Sequence, residues 1–107
     1  MKENKIEYYP NGRIKHKIAF HDNGRKYHES FRDENGNIHR INKPAYQSWY
    51  DNGIKGYDAY YINGRFHNIG NPSRIWYFQN AKICWKNYYI NENCDNKLTW
   101  MNIIKNI

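Results

Sequence analysis

The sequence predicts an all-β fold: an antiparallel meander of successive β-hairpin repeats in a curved or rolled sheet, ending in a short C-terminal capping segment. Three observations carry this. First, Asn-Gly occurs five times, at Asn11-Gly12, Asn23-Gly24, Asn35-Gly36, Asn52-Gly53 and Asn63-Gly64. The pair is the strongest short hairpin signal and reads as a two-residue type I′ turn, with positive φ at both positions. Structural turns are therefore assigned to Gly12, Gly24, Gly36, Gly53 and Gly64. Second, an aromatic pair recurs at Tyr8-Tyr9, Trp49-Tyr50, Tyr60-Tyr61, Tyr77-Phe78 and Tyr88-Tyr89, its second ring always two residues before an Asn. Third, residues 35–62 align with 63–90 at an offset of 28 without gaps. Asn35/Asn63, His39/His67, Ile41/Ile69, Pro44/Pro72, Tyr60/Tyr88 and Tyr61/Tyr89 are among the identities. An even offset keeps each residue on the same face of a strand.

The turns place the strands near residues 5–9, 13–20, 25–31, 46–50, 54–62, 74–79 and 82–90. Residues 5–34 use a shorter unit of about twelve residues. The two 28-residue repeats follow, and 91–107 form the cap, all in one domain spanning 1–107. In 54–62 the odd positions put Tyr57 and Tyr61 on one face; in 82–90 they put Trp85 and Tyr89 there. Both faces of these strands are apolar or aromatic, so either both are covered or one is a binding surface. His39–Ala45 and His67–Ser73 read as loops running to a proline. Leu98–Ile104 reads as a capping strand or one helical turn, because a terminal repeat needs closing. No stretch has a 3.6-residue apolar period.

Composition narrows the function. At 107 residues the core is modest. There is one Leu and no Val, against fourteen Ile, eleven Tyr, four Trp and four Phe. No apolar run approaches the ~20 residues of a membrane span. Met1–Lys5 lead into no apolar signal segment, so a cytoplasmic location is expected. Cys84 and Cys94 make no disulfide framework, and a small buried Cys84 is the expectation. The five His are not spaced as a zinc site. His39 and His67 are repeat-equivalent and read as structural turn residues. No carboxylate pair, nucleophile elbow or phosphate-cradling loop stands out. No catalytic residue, metal or cofactor is assigned, and the chain is expected not to be an enzyme.

Two features point to binding. Tyr57, Tyr61, Trp85 and Tyr89 are of the types favoured at interface hot spots. The formal charge is +7, and Arg13, Lys15, Lys17, Arg25 and Lys26 fall on two neighbouring strands. Basic side chains interleaved with rings suit nucleic acid, whereas Lys on a solvated strand also guards an edge against aggregation.

The segment Tyr8-Tyr9-Pro10-Asn11-Gly12-Arg13-Ile14-Lys15 resembles the repeat unit of MORN-like proteins of the bacterial YwqK antitoxin type. Asn35–Arg40, Pro44-Ala45 and Trp49–Lys55 are similar to a hairpin repeat common in phages and large DNA viruses. The resemblance covers about residues 5–92 and implies successive β-hairpins in a curved sheet. It implies protein binding, in one version inhibition of a host defence or nucleic-acid-processing enzyme inside the host cell. The leading expectation is thus a non-enzymatic module for a protein or ribonucleoprotein partner. Direct RNA or DNA binding and self-assembly into a homodimer are the alternatives, and no membrane partner is expected. The chain departs from the repeat at Asn80-Ala81, His67-Asn68 and Asn71-Pro72-Ser73.

Overall fold

The structure, a computed structural model, describes residues 3–90 and the backbone of 93–94. It is all-β among these residues. Eleven strands occur: β1 (Lys5–Tyr8), β2 (Ile14–Phe20), β3 (Lys26–Phe31), β4 (Tyr46–Trp49), β5 (Lys55–Ala59), β6 (Tyr61–Ile62), β7 (Arg65–Phe66), β8 (Arg74–Tyr77), β9 (Ile83–Asn87), β10 (Tyr89–Ile90) and β11 (Asn93–Cys94). Seven form one antiparallel meander in the order β1-β2-β3-β4-β5-β8-β9. The pairs β6-β7 and β10-β11 are two small ribbons. The expected capping segment 98–104 lies outside the described residues.

Four of the five Asn-Gly turns differ from expectation. At residues 9–13 the amide of Gly12 donates to the Tyr9 carbonyl (2.9 Å), and the Tyr9 amide to the Arg13 carbonyl (2.8 Å). The same pair of bonds closes 21–25, 33–37, 50–54 and 78–82. These are three-residue loops in which only the last residue has positive φ, as in a type I turn followed by a glycine bulge. Each Asn in the loops at 10–12, 22–24, 51–53 and 79–81 keeps negative φ. Its Oδ1 accepts the amide two residues on, at 2.9–3.0 Å. Only Asn63-Gly64 is a two-residue turn with both φ positive, at 52° and 81°.

Successive turns alternate between the two ends of the strands, which explains the 28-residue period. Asn11 Nδ2 donates to the Glu34 carbonyl (2.9 Å), and Asn23 Nδ2 to the Asp51 carbonyl (2.7 Å). Each asparagine amide therefore holds its own turn and the next one at the same end. The residue two before each Asn also reaches that neighbour. Tyr9 Oη donates to the Arg32 carbonyl (2.6 Å), Tyr50 Oη to that of Tyr77 (2.5 Å), and His21 Nε2 to that of Trp49 (2.8 Å).

Residues 54–62, expected as one strand, are two. The β5 pairing with β8 ends at Ala59, and Tyr61-Ile62 fold instead onto Arg65-Phe66. The Tyr60 amide still donates to the Ser73 carbonyl (2.7 Å), one step on in the same register, while the Tyr60 carbonyl leaves the ladder and accepts the His67 amide (3.0 Å). The buried apolar set is small: Ala19, Ala45, Ala59 and Tyr88. Among the described residues the seven-stranded sheet is accompanied only by two-stranded ribbons, and it has no thick aliphatic core, consistent with the scarcity of Leu and Val.

Candidate functional site

Cross-strand partners share a face, so the register sorts the meander into two surfaces. One face carries the row Ile6, Lys17, Ser30, Tyr46, Ala59, Arg74, Asn87. Beside it runs Ala19, His28, Ser48, Tyr57, Trp76, Trp85. The other face carries Glu7 and His16, and the row Lys5, Ile18, Glu29, Gln47, Asp58, Ile75, Lys86.

The second face is polar, and its three strand carboxylates are each engaged on that face. His16 faces Glu7 (3.1 Å) with one ring nitrogen and Glu29 (2.6 Å) with the other. Lys26 also reaches Glu29 (3.3 Å). Burial alone would raise the Glu29 carboxyl, but the hydrogen bonds and charges of His16 and Lys26 together hold it below its usual 4.5. Asp58, itself buried, collects Gln47 (3.1 Å), Lys55 (3.3 Å) and the Tyr77 hydroxyl (3.0 Å). Burial, then the Asp58 charge and hydrogen bond, push the Tyr77 phenol up to about 12.

The first face is the ring face. His28, Tyr46, Tyr57 and Trp76 follow one another with centroids 5.7, 6.0 and 5.1 Å apart. Trp85, opposite Trp76 on the outer strand β9, is 54% exposed. A second ring group, Tyr61, Phe66 and Tyr89, lies at 4.6 and 5.4 Å steps. Arg74 joins the two groups. Its guanidinium carbon is 4.4 Å from the centroids of both Phe66 and Trp76, and 5.8 Å from that of Tyr57. Its Nε donates to the Tyr57 hydroxyl (2.9 Å). A shallow groove of about 500 Å³ runs along Tyr27, Tyr46, Ser48, Tyr57, Arg74 and Trp76. All three carboxylates of the seven meander strands, Glu7, Glu29 and Asp58, belong to the opposite face. His28 Nδ1 is buried without a hydrogen-bond partner among the described residues. Burial, with Lys17 adding to it, lowers that imidazole's pKa, so the ring is disfavoured as a cation.

The structure thus sets Tyr57 against Arg74, Tyr61 and Tyr89 against Phe66 beside it, and Trp85 opposite Trp76, although Tyr57 and Tyr61 no longer share a strand. It does not gather the five basic residues. Arg13 and Arg25 sit at opposite ends of β2 and lie over Gly36 and Gly53 of the next turns. Arg13 also bonds the Asn35 carbonyl. Lys15 lies over the Tyr9 ring (5.8 Å), and Lys26 over Trp49 (5.4 Å) on the polar face. Of the five, Lys17 alone belongs to the ring-face rows. Sequence reading missed Arg74, Trp76, Phe66 and Tyr46. A signal existed for the first, because the 28-residue alignment sets Arg74 against Tyr46.

A larger hollow, about 680 Å³, lies between the repeat-equivalent loops at 40–42 and 67–72. Its named polar groups hold the loops. Arg40 Nη1 donates to the Pro44 carbonyl (3.4 Å) and Asn68 Nδ2 to the Pro72 carbonyl (3.1 Å), at the same repeat position. His39 accepts the Asn63 amide (3.0 Å), a structural turn role. Cys84, expected buried, is exposed on the outer strand β9. No group of three or more His, Cys, Asp or Glu among the described residues could hold a metal ion. No helix among them is long and apolar enough to cross a membrane. A scan against protein-family models and searches of curated proteins and solved structures found no match to the chain.

Proposed function

We propose that the protein is a non-enzymatic binding module whose ring face docks a protein partner. The observation that carries the reading is the gathering of Tyr46, Tyr57, Trp76, Trp85 and Arg74 on one face of a single-layer sheet. Tyr, Trp and Arg are the residues most enriched at interface hot spots, since they bury large area while keeping a polar handle. The polar face supports the reading by contrast, because its carboxylates Glu7, Glu29 and Asp58 are each engaged by a side chain of the same face.

The test is affinity capture from lysate of the native host, with and without nuclease, using the native chain and Trp76→Ala. A saturable protein partner that survives nuclease and is lost with Trp76→Ala is the expected result. A partner equally retained by a folded Trp76→Ala overturns it.

Direct nucleic-acid binding is the second reading, favoured by a strongly basic chain whose ring face has no strand carboxylate. It requires an affinity that falls steeply with salt and does not survive nuclease.

A further inference from the structure

The geometry points to Arg74 as the receptor for a carboxylate on an acidic segment of a partner protein. This inference rests on the binding-module reading and specifies its anchor.

The first support is the repeat. Residue 74 aligns with residue 46, and the row Tyr46–Ala59–Arg74 places both on the same face, two strands apart. The first copy fills the position with a ring. The second puts an arginine there, the only arginine within the seven strands of the meander. Packing does not demand it, since a tyrosine fills the equivalent place.

The second support is how the guanidinium is held. Phe66, Trp76 and Tyr57 pack around its carbon. Nε is engaged by the Tyr57 hydroxyl. The two terminal nitrogens have no hydrogen-bond or ion-pair partner among the described residues. A rigidly placed guanidinium fork is matched to an oxyanion, which it binds through two parallel N–H···O bonds. Flanking rings also screen that pair from water, which strengthens it.

The third support is charge. With Glu7, Glu29 and Asp58 on the other face, nothing on the ring-face strands neutralises Arg74, so the complement is anionic. A carboxylate is favoured over a nucleic-acid strand by the placing of the cations. A bound strand needs positive charge along its whole track. The other strand cation on this face is Lys17 on β2, four strand spacings from β8, or about 19 Å. Between them β3, β4 and β5 contribute His28, Ser30, Tyr46, Ser48, Tyr57 and Ala59 to the face, with no Lys or Arg. One charged anchor set among rings is the pattern of a protein hot spot.

The experiment follows the Arg74 Nε–Hε NMR signal while hexaglutamate peptide is added at low salt. Parallel titrations use hexathymidylate and inorganic phosphate. A saturable shift with hexaglutamate is expected, together with at least tenfold weaker peptide binding in Arg74→Lys, which keeps the charge and loses the fork. Amide spectra verify that the variant is folded. Equal binding by Arg74→Lys overturns the inference. So does saturation by hexathymidylate without hexaglutamate, which would assign the site to nucleic acid. A phosphate titration that reproduces the peptide shift at the same concentration means an adventitious ion only, and overturns it too. The partner capture separates the two levels. Loss of the partner with Trp76→Ala but not with Arg74→Lys leaves the binding module standing and removes the carboxylate anchor. Retention in both removes both.

Discussion

Replacing Ala81 with glycine should stabilise the protein. Ala81 closes the β8-β9 loop at φ 73°, where the four equivalent loops place Gly12, Gly24, Gly36 and Gly53 at 87–88°. An L-residue in the left-handed region sets its Cβ against the neighbouring carbonyl, at a cost of about 1–2 kcal/mol. Glycine removes that cost but gives the unfolded chain more freedom, which takes back about 0.5–1 kcal/mol. The net gain for Ala81→Gly lies at about 0–1.5 kcal/mol, and its midpoint of about 0.7 kcal/mol is roughly 3–6 °C in Tm for a domain of this size. The reverse change at Gly53 is the internal control. There φ is 87° and an added Cβ would meet Arg25 Nη1 at 3.3 Å, so Gly53→Ala should destabilise. Urea denaturation followed by Trp fluorescence measures both, and an unchanged m-value would show that only stability has moved. If Ala81→Gly is neutral or destabilising while Gly53→Ala is harmless, the bulged three-residue loop is wrong.

Three further outcomes follow from particular side chains. Gly64→Val should cost about 2 kcal/mol or more, because a β-branched residue resists φ 81°. An added Cβ there would also lie 3.3 Å from Asn37 Oδ1; chemical denaturation checks the loss. Glu29 ionises below its usual 4.5, so its contribution is present above that value and is lost as pH falls through the folded pKa. Melting curves from pH 7 to 3 should therefore fall less steeply with pH in Glu29→Gln than in the native chain. Tyr77, raised to about 12, favours the fold below pH 10 and loses that contribution as pH rises through 12. Asp58→Asn should bring the Tyr77 ionisation back towards 10, read from phenolate absorbance near 295 nm against Tyr77→Phe.

Much of the fold is legible in the sequence. The Asn-Gly turns and aromatic pairs locate five of the seven meander strands to within two residues, because turn chemistry is local and each unit repeats it; 54–62 and 82–90 each run three residues past the end of the meander strand and continue into a separate ribbon. The turn type is not legible from the dipeptide. Asn-Gly suits both a two-residue and a three-residue loop; in four of the three-residue loops Asn Oδ1 accepts the amide two residues on, and in 33–37 Asp33 Oδ1 accepts that amide instead. Strand 54–62 was opaque for a similar reason. At Tyr60 the carbonyl turns to the non-local His67 amide, while the amide stays with Ser73, itself fully buried and bonded through Oγ to both the amide and the carbonyl of Tyr89. That Ser stands where the first repeat has Ala45, so one departure from the repeat becomes a structural bond. The binding face was half legible. The ring types could be read off, but Arg13 and Arg25 look like a free basic patch until the stacking of successive turns engages them. Arg74 gains meaning only when the fold sets Phe66 and Trp76 around it.

The central claim is that the ring face contacts the partner and the polar face does not. Hydroxyl-radical footprinting of the complex formed with the captured partner tests it most directly, read by mass spectrometry at single residues. The account predicts protection of Tyr46, Tyr57, Trp76 and Trp85, with Tyr77 on the polar face unchanged. Protection of Tyr77 with Trp76 and Trp85 still reactive would contradict it.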